Sequence, residues 1–320
     1  MSKDTRPKVR FVEVSAEEEG QRIDNYLVKT LKGVPKSRIY KMVRKGEVRV
    51  NKGRVKAEYK IEAGDSIRIP PVQTAQREQE VPVNLNVVQS LEDAIIHEDD
   101  RIIVINKPSG MAVHGGSGMS FGVIEALRAL RPKAPFLELV HRLDRDTSGC
   151  LMIAKRRSTL RFIHKQLQEK KINKRYWALV QGHWPAKQKF VDAPLRKFQV
   201  KSGERLVRVS DDGKPCLTSF RVVERFTDLT LVSAEPITGR THQIRVHAQS
   251  VGCSLIGDDK YGDDALNQQF KRDGLCERLF LHAYSLEFKV RPDDKKPIKV
   301  EAPLPDDLQD TVNQLRNSHN

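Results

Sequence analysis

The chain has 320 residues, and its 57 Lys and Arg against 42 Asp and Glu give a net charge of +15 and a pI of about 9.7. This length predicts two or three domains, and the positive charge favours a polyanionic partner, nucleic acid before membrane. No apolar run is long enough to span a membrane, the N-terminus lacks the apolar core of a signal peptide, and the four cysteines form no Cys-x-x-Cys pair. Composition therefore predicts a soluble cytoplasmic protein with no membrane partner.

The N-terminal part has the periodicity of a small α+β module. Apolar residues at i, i+3, i+4 and i+8 over residues 23–31 predict a helix. A second short helix follows over residues 39–45, and Gly46 is a typical residue at a helix C-terminus. Alternating residues at 48–50 and an apolar run at 67–69 predict two strands.

Positive charge is concentrated in this module. Between Lys36 and Lys60 there are ten Lys or Arg and two Glu, more than half of the excess of the whole chain. A charge run is often only a solvated helix face. Here the charges have one sign and are ordered by two helices and strands, which predicts binding to RNA or DNA. The predicted contacts are Lys36, Arg38, Lys41, Arg44, Lys45, Arg49 and Lys52.

The same module resembles the S4-type RNA-binding domain. The resemblance is carried by Arg22-Ile23-Asp24, Ser37-Arg38, the stretch 45–51 and Ala63-Gly64-Asp65. We therefore expect an N-terminal extension over 1–19, an S4-type domain over 20–70, a linker over 71–89 and a larger domain over 90–320.

The larger domain contains the most informative motif, His-Arg-Leu-Asp-Arg-Asp-Thr-Ser-Gly at residues 141–149. Its Asp144 lies between Arg142 and Arg145, and flanking guanidinium groups favour the ionised form of a carboxylate. Arginines also bind phosphates, so the arrangement suits a carboxylate that acts on a nucleic acid. The alternative is a solvated turn in which Asp146 or Ser148 satisfies local backbone donors.

Short β-type runs recur through the larger domain and predict a mixed α+β fold rather than regular βαβ units. The predicted strands are 102–105, 151–154, 176–180, 206–209, 219–223, 230–233 and 279–281. Helical periodicity predicts one helix over about 157–171 and another that starts near Thr241. A threonine is available to cap the second helix, whose N-terminus, with Arg240 and Arg245, would favour an anion.

Three other motifs could suggest a ligand site or a nucleophile, but the sequence around each argues against it. The glycine-rich stretch 113–118 lacks the Gly-Lys-Ser/Thr ending of a phosphate-binding loop, which favours a flexible loop. His242 and His247 have no acidic or cysteine partner nearby for a metal, and Cys216 has no activating histidine in sequence. The sequence thus predicts no metal and no cofactor.

Several motifs in one order resemble the ribosomal large-subunit type of pseudouridine synthases. They are His141-Arg142-Leu143-Asp144, Lys174-Arg175-Tyr176 and residues 239–245, with 106–110 upstream and 256–258, 261–262 and 278–283 downstream. The resemblance runs across nearly the whole chain. It implies a pseudouridine synthase fold, a mixed and mostly antiparallel sheet with a central catalytic cleft, and isomerisation of uridine to pseudouridine in RNA.

The resemblance also implies roles for individual residues. Asp144 is the catalytic carboxylate, which either attacks C1′ of the sugar or helps to remove a sugar proton. Arg245 pairs with Asp144, while Tyr176 packs on the base and serves as a general acid or base at C5. Arg142 enters the RNA to displace the uridine, and Arg240 contacts a phosphate.

The implied partner is RNA, either 23S rRNA or a large-subunit assembly intermediate, and we expect a monomer. Two other classes of protein stay open at this point. A non-catalytic ribosome assembly factor would use the basic module beside an inactive core. A metal-dependent nuclease or deaminase would use the carboxylates and histidines, although clustered ligand spacing is missing from the sequence.

Overall fold

The computed structural model describes residues 8–31, 33–72, 86–115, 121–199 and 205–318. The chain divides into two compact units, residues 1–80 and 81–320, called here the N-terminal and C-terminal units. Residues 116–118 of the glycine-rich stretch and residues 73–85 of the predicted linker lie outside the described residues. Within the described ranges, no helix combines the length and the apolar character needed to cross a membrane.

The N-terminal unit is a small sheet packed on two helices. Its elements are β1 (Arg10–Glu13), α1 (Ile23–Thr30), α2 (Lys36–Arg44), β2 (Arg49–Val50) and β3 (Ser66–Ile69). The strands are antiparallel in the order β1-β3-β2. Buried apolar residues from both helices and from β2 and β3 form one core, as the sequence periodicity predicts. Strand β1 was not predicted and lies in the stretch assigned to an N-terminal extension, whose boundary stays a prediction.

The C-terminal unit is built on one large sheet. Its helices are α3 (Asn86–Asp93), α4 (Val123–Leu130), α5 (Arg157–Gln168), α6 (Gln243–Ser250), α7 (Asp264–Arg272) and α8 (Asp306–Asn317). Its strands are β4 (Ile95–Glu98), β5 (Ile102–Lys107), β6 (Glu138–Leu139), β7 (Ser148–Ala154), β8 (Asn173–Gln181), β9 (Phe190–Asp192), β10 (Leu195–Gln199), β11 (Arg205–Val209), β12 (Leu217–Arg225), β13 (Leu229–Pro236), β14 (Leu281–Phe288) and β15 (Ile298–Glu301).

The large sheet has the order β4-β5-β7-β14-β8-β13-β12-β9, with β6 beside β7 and β15 beside β14. Among the described residues its pairings are antiparallel except for β7 and β14, which run parallel at His282 opposite Ser148. Strands β10 and β11 form a separate antiparallel hairpin. The predicted mixed, mostly antiparallel sheet is therefore confirmed.

The two faces of the sheet are covered by different helices. One core joins apolar residues of β5, β7, β8 and β13 to α3, α4 and α6. Alternate residues of β5 and β7 pack with α5 in a second core, while α7 and α8 cover β8 and β13 in a third. Because side chains alternate along a strand, Ala178 and Tyr176 of β8 share the face of α6, and Leu179 points to α7 and α8.

Most of the predicted elements are confirmed within a few residues. The exception among the strands is 279–281, because β14 begins only at Leu281. The backbone N–H of Phe280 instead donates to the carbonyl of Ile256, outside the sheet. Helix α6 begins at Gln243, close to the predicted start.

Candidate active site

A cavity of about 630 Å³ opens in the C-terminal unit beside the N-terminus of α6. The loop between β6 and β7 and the loop before α6 both line it. Tyr176 of β8 and Leu281 of β14 contribute from the sheet. Every residue that the resemblance singles out for chemistry lines this cavity, namely Asp144, Tyr176, Arg245, Arg142 and Arg240.

The β6–β7 loop that carries Asp144 is held by contacts to its backbone. The N–H of Thr147 donates to the carbonyl of Asp144 at 3.2 Å. The hydroxyl of Ser109 donates to the carbonyl of Asp146 at 2.8 Å, so the loop is tied to the segment after β5. These bonds fix the backbone that follows Asp144, while its own side chain stays 20% exposed.

Lys107, the last residue of β5, also holds this loop. Its ammonium donates to the carbonyls of Pro108, Met111 and Arg145 at 2.7, 2.8 and 2.9 Å. Three acceptors match the three donors of a lysine ammonium, although the residue is 0% exposed. Burial lowers the pKa of Lys107 to about 7, and the three carbonyls favour its charged form. The bond to Arg145 joins the end of β5 to the residue that follows Asp144.

Glycine is required where this loop enters β7. Gly149 has φ of +108°, and a Cβ built there would lie 2.3 Å from the carbonyl oxygen of Ala283. The close approach belongs to the parallel pairing of β7 with β14. Any side chain at residue 149 would push the two strands apart next to the loop that presents Asp144.

Two basic side chains approach the carboxylate of Asp144. Nη1 of Arg245 and Nε2 of His242 each lie 3.8 Å from Oδ2 of Asp144. Neither distance is a hydrogen bond. The two groups nevertheless converge on the same carboxylate oxygen.

Arg245 makes its shorter bonds with another carboxylate. Its Nε and Nη2 donate to Oδ2 and Oδ1 of Asp258 at 2.6 and 2.5 Å, a bidentate pair. The side chains are 3% and 0% exposed, respectively. Backbone N–H groups of Lys260 and Tyr261 also donate to Asp258. Burial by itself lowers the pKa of Arg245, but the bonds to Asp258 and the charge of Asp144 raise it overall, so the guanidinium is a fixed cation.

Tyr176 forms the buried back of the cavity. It is 8% exposed and belongs to the core on the α6 face of the sheet. Burial, and secondarily the charge of Asp144, raise the pKa of Tyr176. Its phenol therefore stays protonated over the neutral pH range, which suits stacking on a base and donating a proton better than accepting one.

Further cationic residues line the cavity, among them Arg142, Arg240 and Lys174. Of these, Arg142 and Arg240 are exposed. Lys174, two residues before Tyr176 on β8, is more enclosed, and burial lowers its pKa while the charge of Glu235 opposes that shift. The cavity thus combines one carboxylate with several cations, which suits a polyanionic substrate.

His242 and His247, for which the sequence favours no metal, have different surroundings. His247 is fully buried, and its ring nitrogens bond Thr218 and the carbonyl of Ala193. His242 instead faces the cavity. No group of three or more His, Cys, Asp or Glu side chains arranged for a metal occurs in the described part of the chain. The threonine cap expected for α6 is also wrong, because His242 occupies the cap position.

The predicted basic residues of the N-terminal unit lie mainly at the surface. Arg38 is half-buried and pairs with Glu47 at 3.0 Å. The other six are exposed, namely Lys36, Lys41, Arg44, Lys45, Arg49 and Lys52. Lys41, Arg44 and Lys45 share the outer side of α2 and its C-terminus, while Ile39, Met42 and Val43 are buried.

Comparison with known proteins assigns both units. Residues 101–250 match the RNA pseudouridylate synthase family, and residues 21–67 match the S4 domain. A human protein described as RNA pseudouridylate synthase domain containing 4 superposes with a TM-score of 0.59 at 26% identity, over 72% of this chain and 95% of that one.

Bacterial relatives are much closer in sequence. Ribosomal large subunit pseudouridine synthase C of Escherichia coli K12 is 57% identical over 98% of each chain. The protein of the same name from Haemophilus influenzae is 55% identical over 97% of this chain and 96% of its own. The chain therefore belongs to the RNA pseudouridylate synthase family. It is an isomerase with an S4 domain, and the predicted fold and enzyme class are confirmed.

Four residues around the cavity were not assigned a role from the sequence. Asp258 and Tyr261 lie inside stretches that the family resemblance includes, but their contacts with Arg245 and His242 depend on the fold. His242 was considered only as a metal ligand, and Lys107 was unremarked within the stretch 106–110. For Asp258 and Tyr261, the signal in the sequence was a carboxylate and a hydroxyl inside stretches that carry the family resemblance.

Proposed function

We propose that the protein isomerises specific uridines to pseudouridine in 23S rRNA, with Asp144 as the catalytic carboxylate. The observation that carries this proposal is the position of Asp144 in the cavity, on a loop tied down by Lys107 and opposite Arg245. The choice of RNA rests on the bacterial relatives, whose name states that they act on the ribosomal large subunit.

The chemistry is a rearrangement in which nothing but a proton is exchanged. The N1–C1′ bond of uridine breaks, the uracil turns within the cavity, and C5 forms a bond to C1′. C5 loses its proton and N1 gains one, so the overall composition is unchanged. Asp144 acts either by attack on C1′ or by removal of a sugar proton, and both steps require an ionised carboxylate beside the ribose.

The surrounding residues bind and orient the target nucleotide. A uridine must leave the base stack to reach Asp144, and the exposed Arg142 beside it on the same loop is placed to enter the RNA. Tyr176 supports the extruded base from the sheet, with its phenol protonated. Arg245 holds Asp144 charged and oriented, and Arg240 at the mouth contacts a phosphate.

The N-terminal unit supplies further affinity for RNA through the S4 domain and its exposed basic residues. Joining two RNA-binding units in one chain raises the effective concentration of the second once the first is bound. We further propose that the protein acts as a monomer in the cytoplasm.

The test is Asp144→Asn, which preserves shape but removes the charge. We expect loss of pseudouridine formation by at least about 10³-fold, the range for removal of an essential catalytic group, with RNA binding retained. Turnover is measured as tritium release from 23S rRNA labelled with tritium at C5 of uridine, both as free RNA and in large-subunit particles. Binding is measured by filter retention.

Asp146→Asn is the matched control. Asp146 lies two residues away on the same loop, where its side chain pairs with Arg145 and its charge raises the pKa of Lys107, as that of Asp144 also does. We expect this variant to keep activity within a few-fold of the wild type. Full activity of Asp144→Asn would refute the catalytic assignment, and loss of binding alone would favour an assembly factor.

A further inference from the structure

His242 occupies an unusual backbone position at the edge of the cavity. It is the cap residue of α6 and has left-handed dihedral angles, with φ of 54° and ψ of 21°. Few residues other than glycine adopt this conformation, and among those Asn, Asp and His are enriched. The conformation places the imidazole between Asp144 on one side and Tyr261 on the other.

The hydrogen bonds of Tyr261 determine which ring nitrogen of His242 carries the proton. The hydroxyl of Tyr261 accepts the backbone N–H of Val207 at 2.9 Å and lies 2.7 Å from Nδ1 of His242. Burial raises the pKa of Tyr261 to about 12, so the hydroxyl keeps its hydrogen. In the described part of the chain the partner for that hydrogen is Nδ1, which must then be an acceptor.

The other nitrogen of His242 faces the carboxylate. Burial lowers the pKa of His242, and the charge of Arg245 acts in the same direction, while Asp144 opposes them. The ring is therefore neutral near pH 7 and carries one proton. Because Nδ1 accepts from Tyr261, that proton is on Nε2, which lies 3.8 Å from Oδ2 of Asp144.

We propose that His242 is a positioning residue for the isomerisation, which donates Nε2–H to Oδ2 of Asp144 when RNA closes the site. Arg245 approaches the same oxygen, so the two groups together direct Oδ1 to the ribose. This inference rests on the proposed function of Asp144. It adds that His242 carries its proton on Nε2, that Oδ2 of Asp144 is held by His242 and Arg245, and that Oδ1 faces the ribose.

The chain of contacts extends beyond the cavity to the β10–β11 hairpin. Val207, whose N–H fixes Tyr261, is a buried residue of β11. The same hairpin exposes Arg196, Lys197 and Arg208, which are suited to phosphate contacts.

Two substitutions separate this role from a backbone role. The amide nitrogen of Gln reaches about as far as Nε2 of histidine, whereas that of Asn corresponds to Nδ1. His242→Gln therefore retains a donor to Asp144, and His242→Asn retains only a group near Tyr261. The left-handed backbone favours the opposite order, because Asn tolerates it better than Gln.

The assay is the single-turnover rate of tritium release from C5-labelled 23S rRNA at saturating enzyme, with RNA affinity and melting temperature measured in parallel. We expect His242→Asn to lower the rate about 10- to 100-fold, the range for groups that orient a reactive ligand, with RNA affinity unchanged within about two-fold. We expect His242→Gln to stay within a few-fold of the wild type. His183→Asn, at an exposed histidine, controls for the substitution itself.

Tyr261→Phe tests the tautomer. It removes the hydroxyl and keeps the ring, which lies 5.1 Å from the guanidinium of Arg245. We expect a loss of rate in Tyr261→Phe but no additional loss when it is combined with His242→Asn, because the two residues act through one bond.

If the rate losses of Tyr261→Phe and His242→Asn multiplied in the double variant, the two residues would act independently, and the proposed link from Tyr261 through His242 to Asp144 would be wrong. Equal rates for the Gln and Asn variants, or a faster Asn variant, would reduce His242 to a backbone role. If Asp144→Asn proved active in the same assay, the proposed function itself would fail, whereas an inactive Asp144→Asn beside a normal His242→Asn would reject only this inference.

Discussion

The buried pair between Arg245 and Asp258 permits a quantitative prediction. Asp258→Asn keeps the size of the side chain but removes its charge, and Arg245, which is 3% exposed, then loses its bidentate partner. Breaking a buried ion pair by removing one partner costs about 3–5 kcal/mol, and the lower end, about 3 kcal/mol, applies here because Arg245 keeps Asp259 at 3.2 Å and Asp144 at 3.8 Å. We expect the free energy of unfolding to fall by about that amount.

The magnitude translates into a large change in melting temperature. The C-terminal unit has about 240 residues, and in domains of that size each kcal/mol shifts the melting temperature by roughly 2–4 °C. We therefore expect the transition of this unit to fall by about 10 °C in Asp258→Asn. Differential scanning calorimetry of the full chain at pH 7 and low protein concentration measures it.

An exposed pair on the same unit provides the control. Arg316 donates to Glu224 at 2.7 Å at the surface, where the side chains are 49% and 31% exposed. Surface pairs contribute at most about 1 kcal/mol, so Glu224→Gln should change the melting temperature by no more than a few degrees. A shift in Asp258→Asn no larger than that of Glu224→Gln would refute the assignment of Arg245 as a charge that needs Asp258.

Three further results are expected. Replacing Lys41, Arg44 and Lys45 together with Gln should weaken RNA binding and reduce the slope of log affinity against log salt by about 2, because up to three phosphate contacts are lost; an unchanged slope in salt titrations would contradict this role. Burial lowers the pKa of His282 to about 4, below its usual 6.5, so the native state binds fewer protons between these values and stability falls on acidification from pH 6.5 to 4. The fall, about 1.4 kcal/mol per pH unit, should be smaller in His282→Asn when urea unfolding is followed across this range. Gly149→Ala should lower the melting temperature by several degrees, through the clash with the Ala283 carbonyl, and a neutral effect would show that the strands separate without cost.

Local periodicity was sufficient to predict most of the secondary structure. The helix at residues 23–31 and the strands of the large sheet alternate or repeat apolar residues clearly, because each has one or two buried faces. Strand β1 was missed because its four residues are mostly exposed and lack an apolar alternation. Its position is fixed by backbone pairing with β3, which no local pattern encodes.

The site was harder to predict than the fold, because its contacts join distant segments. Family motifs singled out Asp144, Tyr176, Arg245, Arg142 and Arg240, and these residues line one cavity in the structure, while their roles stay predictions. The motifs did not indicate that Arg245 is nearer to Asp258 than to Asp144. They also gave no indication of the left-handed backbone at His242, since that conformation depends on the side chains packed around it.

The burial of Lys107 makes this residue an intrinsic reporter of loop opening. An amine with no exposed surface and three carbonyl partners cannot react with an acylating reagent until the segment before α4 and the β6–β7 loop separate. Its labelling rate, followed by mass spectrometry against that of surface lysines, would measure how often the native protein releases the loop that carries Asp144. Slower labelling in the presence of RNA would then show that substrate stabilises the closed arrangement.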